Sequence, residues 1–200
     1  MEELEFGSYF YEQDGSKKPI EWIVLEKRKG VKFIITKEII DVRSMDLKDH
    51  SWKDSDLRNK WLKEFKKEAF TSKELNRIHK IQHTVSHNPM YKEKTETIED
   101  DLFILSVDEM IQYFGFRPLL YGNHYLFKDH RLTCEPTPYA SLSKRGMLPV
   151  DADHHCWYWL RDNGVTSKQK VRVDFKGEID LYGLDNSDTR AGIRLACYIS

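Results

Sequence analysis

Apolar and β-branched residues concentrate in two early stretches, residues 20–26 and 31–36, and Arg28-Lys29-Gly30 between them can turn the chain, which predicts an antiparallel hairpin. Beyond it the period changes: Leu57, Trp61, Leu62, Phe65 and Ala69 recur at helical spacing with Lys and Glu filling the other face. Residues 55–70 therefore read as an amphipathic helix. Two capping-box spacings predict two more, Thr71 with Glu74 ahead of Leu75, Ile78 and Ile81, and Ser106 with Glu109 ahead of Met110, Ile111 and Phe114. Between them residues 83–101 are polar and carry Pro89, a surface excursion that leads into a short buried strand at 102–105.

From 117 to 153 the periodicity fades, and Pro118, Pro136, Pro138 and Pro149 interrupt aromatic and polar residues over a stretch longer than most structureless loops. Strand patterns return at 157–161, 171–175, 178–181 and 192–199, with Lys176-Gly177 placed to turn a hairpin. No repeat, low-complexity tract or interdomain linker breaks the chain, so residues 1–200 read as one α+β domain with antiparallel strands, two to three helices and long irregular loops.

Charge alters this picture little. The 32 Lys and Arg residues nearly cancel the 33 Asp and Glu residues, so no overall field draws the chain to nucleic acid or anionic lipid. No apolar run reaches the roughly 20 residues that cross a bilayer, and the opening Met1-Glu-Glu-Leu-Glu is acidic where a secretory signal is basic and then apolar; a cytoplasmic protein is expected. Cys134, Cys156 and Cys197 form an odd set without CxxC spacing, which points to reduced, buried thiols.

Several segments, in order, carry a resemblance: Gly7-Ser-Tyr, Pro19-Ile-Glu-Trp-Ile-Val-Leu, Ser55-Asp-Leu-Arg-Asn-Lys-Trp-Leu, Asp101-Leu-Phe-Ile-Leu-Ser, Thr137-Pro-Tyr-Ala, Trp157-Tyr-Trp-Leu-Arg and Ala191-Gly-Ile-Arg-Leu-Ala. Together they resemble a family of bacterial domains of unknown function, common in gut anaerobes and their mobile elements and related to C-type-lectin-like and formylglycine-generating-enzyme-like folds. Two positions depart from it: Asp162-Asn163-Gly164 stands where the family has Ser-Pro-Gly, and Leu195 where it has Pro. The resemblance implies a C-type-lectin-like domain with its termini on neighbouring strands and a ligand surface made by long loops. It implies no activity.

Among the residues that could carry chemistry, Trp157, Trp159 and Arg161 alternate along a strand and so share a face, either stacking on a ligand or filling the core, the more frequent fate of such aromatics. Arg194 carries the same ambiguity, and if buried it needs a partner, for which a loop carboxylate would serve. Asp151, Asp153, His154, His155 and Cys156 crowd metal-ligand types together, but neighbours in sequence seldom bind one ion without a second cluster. Asp180, Asp185, Asn186 and Asp188 place oxygen ligands near-alternately without EF-hand spacing, and an Asp/Asn/Ser turn accounts for them more simply. Neither a nucleophile elbow nor a phosphate loop is present. The resulting expectation is a non-enzymatic module that binds a protein or small molecule through the loops at 118–153 and 183–190, without a cofactor, with Trp159, Arg161, Tyr182, Asp185 and Arg190 as contacts. The alternative is a metal-dependent oxidase related to formylglycine-generating enzymes, using His154, His155 and Cys156 or Cys197.

Overall fold

The computed structural model describes residues 2–48, 50–85, 96–114, 125–128, 132–141, 154–188 and 191–200. The chain opens with β1 (Glu3–Phe10), β2 (Lys17–Arg28), β3 (Val31–Thr36) and β4 (Asp41–Val42). A 3-10 turn (Trp52–Asp54) and a π-helical turn (Leu57–Trp61) lead into α1 (Leu62–Ala69), followed by α2 (Ser72–Leu75). Then come β5 (Ile78–His79), β6 (Ile81–Val85), β7 (Glu96–Asp100), β8 (Leu102–Phe103) and α3 (Val107–Phe114). The remaining elements are β9 (Tyr125–Lys128), α4 (Pro138–Ser141), β10 (Tyr158–Asn163), β11 (Gln169–Val173), β12 (Glu178–Asp185), β13 (Gly192–Ile193) and β14 (Ala196–Ile199).

The fold is α+β and mostly antiparallel. One sheet runs β1-β2-β3-β14-β5, with β8 also on β14; a second runs β4-β13-β10-β11-β12-β9, in which β10 and β13 are parallel; β6 and β7 form a separate hairpin. Among the described residues no helix is long and apolar enough to cross a membrane.

The expected β2–β3 hairpin forms as read. Lys29 (φ 50°) and Gly30 (φ 82°) both adopt left-handed backbone, the two-residue turn whose twist matches the flanking strands. The amphipathic stripe also holds, with Leu57, Trp61, Leu62, Phe65 and Ala69 all buried. Both capping boxes are present: Thr71 Oγ1 accepts from Glu74 N while the Glu74 carboxylate accepts from Thr71 N, and Ser106 and Glu109 exchange the same pair.

Three expectations change. The helix anticipated through Leu75, Ile78 and Ile81 is only the single turn α2, because no residue of that turn is buried and a helix so short gains nothing from extension. Ile78 pairs instead with Ile199, and Ile81 with Asp100, so their three-residue spacing straddles the point where the chain leaves one sheet for a hairpin. The closing strand breaks into β13 and β14, which belong to different sheets and are joined through Arg194 and Leu195. The first and last strands share a sheet but are not neighbours, since β2 and β3 lie between them.

Charged knots pin the connections. Asp100 accepts hydrogen bonds from Trp52 Nε1 (3.0 Å) and Arg58 Nε (2.6 Å) and pairs with His83 Nε2 (2.9 Å), tying the loop, the helix and the hairpin together. Burial disfavours its charge, but these three bonds outweigh that and hold the carboxyl below the usual aspartate value.

Candidate functional site

Three segments distant in sequence lie side by side where the two sheets meet. Ile39 N donates to Glu135 O (2.9 Å) and Thr137 N to Ile39 O (2.9 Å), laying residues 133–137 along the chain that leaves β3. On the other side Cys156 N donates to Cys134 O (2.9 Å), and Tyr139 N to Tyr11 O (2.7 Å) brings in the end of β1. Between them opens a cleft of about 490 Å³ lined by Tyr11, Glu21, Glu38, Cys134, Glu135 and His155, among others. That volume falls in the range of small-molecule sites.

Its walls hold perturbed groups. Glu38 is half-buried, and burial first, then the charge of Glu21, pushes its carboxyl above the usual range; Tyr11 OH donates to it at 3.4 Å. The Tyr11 hydroxyl is itself raised, by burial and by Glu38. Burial raises the Cys134 thiol, which donates to Lys37 O at 3.3 Å. A raised thiol is protonated at neutral pH and a poor nucleophile.

Behind this wall lies Arg194. It is 3% exposed, Nε donates to Thr36 O (2.8 Å), and the guanidinium stands 5.6 Å from the Tyr158 ring. Its expected carboxylate partner is not found among the described residues: the partners are the Thr36 carbonyl and the Tyr158 side chain, and Nη1 is buried with no hydrogen bond. The Cys134 thiol, raised first by burial, also feels the cation of Arg194, which lowers it, and the carboxylate of Glu38, which raises it.

The contacts expected from sequence are divided by the fold. β10 is buried on both faces, so alternation does not separate an inner from an outer side. Trp159 is fully buried, with Nε1 donating to Arg43 O (2.8 Å). Arg161, 2% exposed, donates to Ile104 O (2.9 Å) and to both Glu109 oxygens (2.6 and 2.8 Å). Both belong to the interior framework, and the same Glu109 caps α3. Tyr182, by contrast, is 46% exposed, and Asp185 is exposed with its carboxylate accepting from Ser187 Oγ (2.6 Å) and N (2.9 Å). Arg190 lies outside the described residues.

The candidate metal ligands do not converge. His154 is exposed on left-handed backbone (φ 64°), His155 lines the cleft, and Cys156 is buried with its thiol 3.9 Å from His154 O. Asp151 and Asp153 lie outside the described residues, among which no group of three His, Cys, Asp or Glu side chains could hold a metal ion. The oxygen-rich stretch near 185 is a turn: Asp180 pairs with Arg172 (3.1 Å), and the buried Asn186 side chain donates inward to Ser167 O (2.9 Å).

Sequence reasoning overlooked Glu38 and Tyr11. Each lies next to a strand end and acquires its environment from segments roughly a hundred residues away, so no local pattern marks it.

The chain matches the family described as Domain of unknown function (DUF6273) over residues 29–200 and belongs to that family. No curated protein and no solved structure gives a match. Glu38, Cys134, His155 and Arg194 fall inside the matched residues, while Tyr11 and Glu21 precede them.

Proposed function

We propose that this chain is a non-enzymatic binding module of C-type-lectin-like architecture whose primary recognition site is the cleft between Glu38, Cys134 and His155. The observation that carries this reading is the cleft of about 490 Å³ bordered by the half-buried carboxyl of Glu38. The protonated Cys134 thiol favours recognition over nucleophilic chemistry. Tyr182 and Asp185 form a second contact surface for a protein partner: Gly164, just past β10, packs on Tyr182 O, whereas His155 precedes β10, and a six-residue strand separates the two by about 20 Å. A cytoplasmic location fits the three buried, free thiols.

The test is a thermal-shift screen of a metabolite library against the wild type and Thr133→Trp, in which an indole occupies the cleft. Compounds that stabilise the first and not the second support the reading. A library without such compounds, or hits that bind both proteins equally, would remove the cleft as the recognition site.

A further inference from the structure

We infer that a trough beside α1 is a docking surface for an extended segment of a partner protein in which acidic and apolar residues alternate. The trough shares no lining residue with the cleft and stands without it. Two hollows, of about 180 Å³ and about 410 Å³, have Lys63, Lys66 and Asp101 in common and so run into one another. Together they follow one side of the helical segment from Arg58 to Lys67. At the helical rise that is a length of about 13 Å, which about four extended residues span.

The charges of the trough are unevenly matched. Its carboxylates are each occupied: Asp100 by Arg58 (2.6 Å), Asp101 by Lys66 (2.9 Å) and Glu99 by Lys80 (3.3 Å). Lys63 and Lys67 are exposed, stand about one helical turn apart, and pair with no carboxylate among the described residues. Of the carboxylates on α1 itself, Glu68 is turned to Lys17 and Glu64 lines neither hollow. Apart from the paired Lys66 and Asp101, the rest of the wider hollow is apolar, Leu75 of α2 and Ile78 of β5, both half-buried. An extended segment sends successive side chains to opposite sides, and alternate ones lie about 6.6 Å apart, close to the rise of about 6 Å between Lys63 and Lys67. Two acidic residues with one residue between them therefore match the two lysines, while the apolar residue between them turns to Leu75 and Ile78. Charge complementarity sets the sign of the partner, and the apolar lining sets its alternation. A nucleic acid backbone supplies the charge but no apolar side chain for Leu75 and Ile78.

Fluorescence anisotropy of the full chain with a labelled peptide of alternating glutamate and leucine tests this directly. The controls are a peptide of the same composition with its glutamates and leucines in two blocks, and a thymidine oligonucleotide of equal charge. The alternating peptide is expected to bind about tenfold or more tightly than either control. Lys63→Glu combined with Lys67→Glu should weaken it by about tenfold or more, because two attractions become repulsions. Both lysines are exposed, so this variant should melt with the wild type. Lys29→Glu combined with Lys176→Glu changes the net charge equally at exposed positions outside the trough and should bind like the wild type. Equal binding by the block peptide or the oligonucleotide would reduce the trough to a general attraction for anions and overturn the inference. An alternating peptide that does not bind, or that binds the Lys63 and Lys67 variant as tightly as the wild type, would overturn it as well.

Discussion

Buried cations stand at both ends of β10 and are treated differently. At the Asn163 end Lys170 is fully buried, and its ammonium donates to His50 O (3.2 Å), Ser167 O (3.2 Å) and Asn163 Oδ1 (2.5 Å). Asn186 shares the first two acceptors, so the loop near 50 and the turn near 186 close around one charge. At the Tyr158 end Arg194 has the Thr36 carbonyl and the Tyr158 side chain, and Nη1 is left without a bond. Within the strand Arg161 is an intermediate case: Nε has no partner, yet two carboxylate oxygens of Glu109 meet its charge. A buried cation met by several acceptors ties the framework more firmly than one that keeps a donor without a partner.

The largest effect should come from breaking the framework pair. Glu109→Ala strands the Arg161 charge and removes the α3 cap, costing about 3–5 kcal/mol by urea unfolding, and replacing both partners with Met should recover most of it. Lys170→Met removes the charged donor shared by these three oxygens and should cost about 1–3 kcal/mol. Arg194→Met removes a poorly compensated charge while keeping apolar length, so stability should change by less than about 1 kcal/mol or rise. A cost equal to that of Lys170→Met would erase the distinction between the two ends. Tyr182→Ala, at the exposed surface, should stay within about 0.5 kcal/mol of the wild type.

Acid tests the remaining knot. The folded-state value of Asp100 is depressed, so its contribution is present above the ordinary aspartate value of about 3.9 and is lost as pH falls through the lower folded value. Unfolding followed from pH 6 downward should show this loss, and Asp100→Asn, already without it at neutral pH, should show a flatter profile.

What was legible in the sequence was local. Lys29-Gly30, the stripe from Leu57 to Ala69 and both capping boxes depend on neighbours within a turn or two, and all appear in the fold. Even so, a cap specifies where a helix begins and not how far it runs, which is why Ile78 and Ile81 became strand residues. The face of Trp159 and Arg161 was not legible, because period-two alternation separates inside from outside only when one side of a sheet meets water. The cleft was not legible either: Thr36 and Arg194 are 158 residues apart, and Cys134 meets Lys37 across 97. Long-range pairing of this kind leaves no periodic trace in the chain.

The most direct measurement follows the Glu38 side-chain carboxyl and the His155 imidazole by NMR while the compounds that stabilise the wild type are titrated in. Both sets of resonances should move while the Arg161 guanidinium, held by Glu109, stays in place. Cleft resonances that do not respond, or that move only together with those of Arg161, would contradict the cleft as the recognition site.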